Sequence, residues 1–277
     1  MQSLIINFAP TGMVPTKDDN PHVPITPAEI IEDVRLAYNL GISMVHLHAR
    51  DPQTHKPTWK KEVYAQIISG IREFAPELVI CVSTSGRTFN EFEKRSDVLQ
   101  LKGDLKPDMG SLTLSSLNFQ KQASVSDPEM IMSLARRMQD NGIKPEAEAF
   151  DAGMVNYLKY LVQKGVVQPP YYANLILGNI SSAQADLLHI GIMIRDLPDN
   201  TLCSLGGIGD RQLPVNSLAI SMGYGVRVGL EDNLWYDAGR TRSARNIDLL
   251  ERVHVIAQAN QRPVMKPAQL RQMLRLA

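Results

Sequence analysis

At 277 residues the chain is long enough to bury a full core, and one α/β barrel takes about 250 residues, so a single domain over residues 1–277 is the first expectation. Lys plus Arg and Asp plus Glu number 29 each, so the formal net charge is zero. That balance removes the basic footprint required by nucleic acid or an anionic membrane surface, and a small-molecule partner is expected instead.

Along the chain, short apolar runs alternate with longer stretches of helical period, in eight pairs. The N-terminal MQSLIINFAPTG has no basic segment followed by an apolar core, and no apolar run approaches the roughly 18 residues of a membrane span. A soluble, unprocessed protein is expected. The first strand is predicted over residues 4–8. Ala9-Pro10-Thr11-Gly12 follows it and lacks the glycine-rich fingerprint that a doubly wound dinucleotide fold carries there. Thr26 caps a helix over residues 27–40, with Pro27 at its first position, Glu29 three residues after the cap and Gly41 as its stop. A strand over 44–49, a helix over 60–74 and strands over 78–83 and 109–114 come next. Asp127 and Pro128 open a helix over 128–141, stopped by Gly142. Strands over 144–150, 172–177, 201–205 and 226–229 and a helix over 242–258 complete the alternation. The tail over 262–276, with Pro267 at a helix start, reads as a terminal cap. Cys81 and Cys203 sit inside apolar runs and read as buried free thiols, suited to a reducing cytoplasm. The predicted fold is a (β/α)8 TIM barrel, whose active sites gather where the strands end.

In Met44-Val45-His46-Leu47-His48-Ala49, residues two apart point the same way. Val45, Leu47 and Ala49 suit the helix-packed outer face, which leaves His46 and His48 pointing into the barrel near its mouth. A lone inward histidine reads as a hydrogen-bonded core residue; two on one face suit Zn²⁺ or a similar divalent ion. A third ligand is expected from the adjacent carboxylates Glu231 and Asp232 after the eighth strand, one on the metal and the other a base held by Arg227. The alternative is a surface acidic turn or a helix N-cap at Asp232. Ser83-Thr84-Ser85-Gly86-Arg87 and Gly206-Gly207-Ile208-Gly209 end two further strands, where hydroxyls and close backbone can meet phosphate or thioester oxygens. Glu146 and Glu148 share one strand face, and at least one is expected in the polar site, with Glu146 alternatively in an ion pair at the barrel floor.

The chain resembles the β-keto acid cleavage enzymes over essentially its whole length. The motifs are Thr11-Gly12, Pro24-Ile25-Thr26-Pro27-Ala28-Glu29, Val45-His46-Leu47-His48-Ala49-Arg50-Asp51, Ser83-Thr84, Pro107-Asp108-Met109, Leu117-Asn118-Phe119, Pro145-Glu146-Ala147-Glu148, Gly153-Met154, Gly207-Ile208-Gly209 and the run from Arg227 to Asn233. The resemblance implies a zinc barrel that condenses a β-keto acid with acetyl-CoA and releases acetoacetate and a new acyl-CoA. It implies His46, His48 and Glu231 as zinc ligands and Asp232, oriented by Arg227, as the base. Ser83 and Glu148 would serve the reacting centre. Val14, Thr84, Ser111, Thr113 and Glu146 would meet the β-keto acid, and Ser85, Gly86, Gly207 and Gly209 the CoA. A homotetramer is also implied.

Two departures stand out. Members acting on an amino-bearing keto acid place a carboxylate at the position of Val14; valine cannot pair with an ammonium, so an uncharged or apolar tail is expected. Ser-Thr-Ser-Gly at 83–86 replaces the more usual Ser-Thr-Gly-Gly and touches the CoA contacts. A zinc aldolase or hydrolase without CoA, and a non-catalytic ligand-binding barrel, are the competing expectations.

Overall fold

The computed structural model describes residues 2–276. In chain order its elements are β1 (Ile6–Phe8), α1 (Pro27–Leu40), β2 (Met44–Leu47), α2 (Lys61–Arg72), β3 (Val79–Val82), α3 (Phe92–Ser96), β4 (Met109–Thr113), β5 (Leu117–Asn118), β6 (Ala123–Ser124), α4 (Pro128–Asp140), β7 (Lys144–Ala149), α5 (Ala152–Gln163), β8 (Tyr171–Leu177), α6 (Leu187–Arg195), β9 (Thr201–Gly207), α7 (Gln212–Met222), β10 (Gly225–Val228), α8 (Asn246–Ala259) and α9 (Pro267–Leu274). Eight of the strands close into a parallel barrel in the order β1-β10-β9-β8-β7-β4-β3-β2, as the alternation predicts. The seam is β1, which pairs with β10 through Ile6 and Val226 and with β2 through Asn7 and Met44.

Local chemistry sets the helix boundaries. The Thr26 side chain accepts from the Glu29 N–H at 3.3 Å, and the Glu29 carboxylate accepts from the Thr26 N–H at 3.0 Å, so both halves of the capping box form. Asp127 caps α4 by accepting from the Met130 N–H. The last long helix starts at Asn246 rather than 242, because Ser243 bridges to Trp235 and the Arg242 carbonyl accepts from Tyr236.

The period-two pattern splits the strands into two layers. Val45, Leu47, Ile80 and Val82 face outward and pack on the helices through Ile30, Val34, Ile67 and Ile71. Met44, Val79, Cys81, Met109 and Tyr172 face inward and meet Leu270 and Leu274 of α9, which closes the barrel floor. Cys81 and Cys203 are buried free thiols. One element was not expected: the antiparallel β5-β6 hairpin beyond the C-terminal end of β4. Among the described residues no helix is long and apolar enough to cross a membrane.

Candidate active site

The polar residues of β2, β7 and β10 meet at the C-terminal mouth. His46 is fully buried, and its Nδ1 meets Glu146 Oε2 at 2.5 Å, which turns Nε2 toward Glu231 Oε2, 3.9 Å away. His48 Nε2 lies 3.2 Å from Glu231 Oε1. The three side chains offer ligand atoms within 4.8 Å of one another, and Glu231 Oε2 is buried without a hydrogen-bond partner. Two imidazole nitrogens and an orphaned carboxylate oxygen fit a divalent cation. A second group, His46, Cys81 and Glu146, lies deeper, but its atoms are already bonded to each other.

Glycine makes room for the Glu231 side chain. A Cβ on Gly12 would stand 2.6 Å from the Glu231 Cγ, so only glycine leaves room for that side chain. Gly229, at φ +151°, bends the chain beyond β10, where a side chain would strike the Ala9 carbonyl.

Arg227, fully buried on β10, is the hub: Nη2 meets Glu231 at 2.6 Å, Nε meets Asp232 at 2.8 Å and Nη1 meets Glu148 at 3.3 Å. Burial opposes ionisation of Glu231, but Arg227 and the two histidines outweigh it and hold the pKa low. For Asp232 and Glu148 burial wins, and both lie above their ordinary values despite Arg227. Burial also lowers the pKa of His48, favouring the neutral imidazole a metal needs. At His46 burial works in the same direction, but Glu146 reverses it and raises the pKa to about 9.

The structure brings Ser83, Ser85, Thr113 and Glu148 to the pocket wall beside Arg227, Glu231 and Asp232. Thr113 donates to Glu148 at 2.8 Å. The other expected contact residues are placed as follows. Glu146 is fully buried below the pocket, its oxygens taken by His46, Cys81, Asn7 and Asn174, and it braces His46. Ser111 Oγ accepts from the Thr84 N–H, and the Thr84 hydroxyl donates to the Ser111 carbonyl; the two hydroxyls lock β4 to the loop after β3, and Thr84 lines an adjoining cavity together with Met13, His48, Ser83 and Ser85. Gly86 packs under the Val125 carbonyl and Gly207 against the Arg211 backbone, while the Gly209 N–H is spent on the Asp232 carbonyl. None of these glycines reaches the wall, and Ile208 does. Val14 is 47% exposed and also off it; its neighbours Met13 and Pro15 line the pocket.

Three arginines shape the site without a sequence motif that announces them. Arg50 donates to the Gly12 and Pro15 carbonyls at 2.6 Å each and pins that loop. Arg95 joins the loop after β3 to the β5-β6 hairpin through Thr84 and Val125. Arg87 lines the pocket itself. Their sequence neighbours, Ala49 and Asp51, Gly86 and Thr88, and Lys94 and Ser96, carry no signal that sets these arginines apart.

A closed (β/α)8 barrel with two imidazoles and three carboxylates gathered round one arginine at its mouth has the architecture of a barrel enzyme. The chain belongs to the beta-keto acid cleavage enzyme family, whose pattern it matches over residues 3–276. It is 34% identical to the 3-keto-5-aminohexanoate cleavage enzyme of Acetoanaerobium sticklandii, over 99% of this chain and 98% of that one. It is also 34% identical to the 3-oxoadipate:acetyl-CoA acetyltransferase of Cupriavidus necator, over 99% and 95% respectively. Its fold is similar to the apo structure of ObcA, with a TM-score of 0.78 and 20% identity over 92% of this chain and 66% of that one.

Proposed function

We propose that the chain is a zinc-dependent acyltransferase that condenses a β-keto acid with acetyl-CoA to give acetoacetate and a new acyl-CoA. The observation that carries this reading is the juxtaposition of Asp232, held by Arg227, with the His46, His48 and Glu231 donor set. Zinc held by those three side chains would supply a Lewis acid that polarises the keto carbonyl.

The remaining work falls to the protein. Asp232 is the base for the C2 proton; burial strengthens it, and Arg227 keeps it ionised and aimed. The C2 carbanion attacks the acetyl carbonyl and expels the CoA thiolate. That thiolate adds to the C3 carbonyl, the C2–C3 bond breaks, and the proton returns to C2. Ser83 on the wall is placed to donate to a reacting oxygen, and Glu148, fixed by Thr113 and Arg227, closes the polar side. Ser85 is the expected CoA contact still facing the pocket.

The apolar part of the lining, with Met13, Leu117, Phe119, Phe150, Ile176 and Ile208, supports an uncharged or apolar tail, as does the engagement of Glu148, Glu231 and Asp232 by Arg227. Among the described residues, the carboxylates that line the pocket, Glu148, Glu231 and Asp232, are all paired with Arg227. The same reading, resting on the family resemblance, takes the protein as a single-domain cytoplasmic homotetramer. The test is a panel of β-keto acids with zinc-loaded enzyme, with and without acetyl-CoA, read by product mass. Acetoacetate and a new acyl-CoA are expected only with acetyl-CoA; turnover without it sinks the transferase reading, and efficient use of 3-keto-5-aminohexanoate sinks the tail assignment.

A further inference from the structure

The pocket holds a cation that the acyl-transfer chemistry leaves unused. Arg227 is saturated by three carboxylates. Arg95 is engaged by the Thr84 and Val125 carbonyls and the Ser126 hydroxyl, and the two terminal nitrogens of Arg50 by three carbonyls. Arg87 also lines the pocket, yet among the described residues its guanidinium has no carboxylate within ion-pair distance. Its contact is the face of Phe119, 3.5 Å from the ring centroid.

This placement is built, not incidental. Phe119 packs edge-on against Phe150 of the pocket wall at 5.8 Å. The hairpin carrying Phe119 is tied to the loop carrying Arg87 by the Val125 N–H donating to the Gly86 carbonyl and by the two Arg95 bonds. Gly86 fits there because a Cβ would lie 2.2 Å from the Val125 oxygen. The Arg87 N–H donates to Ser85 Oγ, fixing the start of the side chain. A guanidinium stacked flat on a ring keeps its edge N–H groups available for a planar or tetrahedral anion. A solvated surface arginine would gain nothing from this scaffold, whereas burial works against the Arg87 charge and Glu231, Glu148 and Asp232 support it only from a distance.

We infer that Arg87, stacked on Phe119, is an anion subsite of the pocket that takes a carboxylate or phosphate oxygen of one of the two substrates. The sources are a second carboxylate at the far end of the β-keto acid or a phosphate of CoA. The inference rests on the acyl-transfer reading for which substrates enter, but it is testable by binding alone.

The experiment is titration calorimetry on zinc-loaded wild type, Arg87→Gln and Arg87→Lys, one ligand at a time so that no turnover occurs. The ligands are 3-oxohexanoate, 3-oxohexanedioate, CoA and pantetheine. A charge-assisted hydrogen bond predicts a preference of about tenfold or more for the anion-bearing member of one pair, erased in Arg87→Gln and partly kept in Arg87→Lys. Loss of the dicarboxylate preference assigns the subsite to the keto acid and replaces the uncharged-tail assignment; loss of the CoA preference assigns it to the phosphate. An Arg87→Gln protein that matches wild type toward all four ligands overturns the inference, as does a wild type that binds none. Normal binding with no acyl transfer from any β-keto acid would instead strike the acyl-transfer reading and leave the subsite standing.

Discussion

Replacing Glu146 by glutamine isolates the support beneath the proposed metal ligands. Oε1 accepts from Asn7 Nδ2 at 2.6 Å and Asn174 Nδ2 at 2.8 Å, and Oε2 from His46 Nδ1 at 2.5 Å and the Cys81 thiol at 3.1 Å. All four neighbours donate, so whichever way a glutamine amide is turned its NH₂ faces a donor. Asn7 can relieve part of this by flipping, since its own Oδ1 has no partner. Asn174 or His46 then remains opposed. The lost charge-assisted bond costs about 1.5–3 kcal/mol, and loosening a histidine that ligates a metal lowers affinity about 10- to 100-fold, or about 1.4–2.7 kcal/mol. Zinc affinity of Glu146→Gln by competition with a chromogenic chelator, with a urea melt of the metal-free protein alongside, reads both quantities. A zinc Kd within twofold of wild type would falsify the brace assigned to Glu146.

Asp232→Asn should keep wild-type zinc content while kcat falls about a hundred- to ten-thousand-fold, the usual worth of a general base; a variant that loses zinc in step with activity would place Asp232 among the ligands. Leu270→Ala, at the barrel floor, should lower stability by about 2–5 kcal/mol in urea and leave KM unchanged, so a shifted KM with normal stability would show that α9 acts on the site. Glu29→Gln tests the cap of α1. Burial opposes the Glu29 charge, but Lys17 and the Thr26 and Ile25 N–H groups hold its pKa at about 2, below the unfolded 4.5, so its contribution is complete above the unfolded value and fades as pH falls toward about 2. The deficit of the variant, about 1 kcal/mol or less for a side chain still 39% exposed, should shrink between pH 5 and pH 3; a constant deficit contradicts the ionic part of the cap.

Alternation and caps made the barrel legible in the sequence because buried parallel strands and amphipathic helices obey local periods. The Thr26 box and the facing of His46 and His48 are consequences of spacing alone. Depth is not. Glu146 and Glu148 share a face, but two residues of rise, about 6.6 Å, separate the floor beneath the histidines from the pocket wall, and nothing local says which is which. Loop contents escaped for a related reason. Gly86, Gly207 and Gly209 are required by close backbone packing and by a turn, a demand that a glycine count cannot distinguish from ligand contact. Arg87 escaped because its significance depends on Phe119, which an unforeseen hairpin delivers.

The seam of the barrel also governs how the chain reaches this state. Asn246 bonds the Pro10 carbonyl across 236 positions, and Arg262 reaches the Gln2 carbonyl across 260. Such closures demand a large loss of chain entropy before they return anything, which makes the final step of folding slow. Until β10 arrives, β1 presents a bare strand edge to its surroundings. In concentrated solution the β10 of another molecule can dock there first, so the yield of refolding should fall with protein concentration even where the finished enzyme is stable.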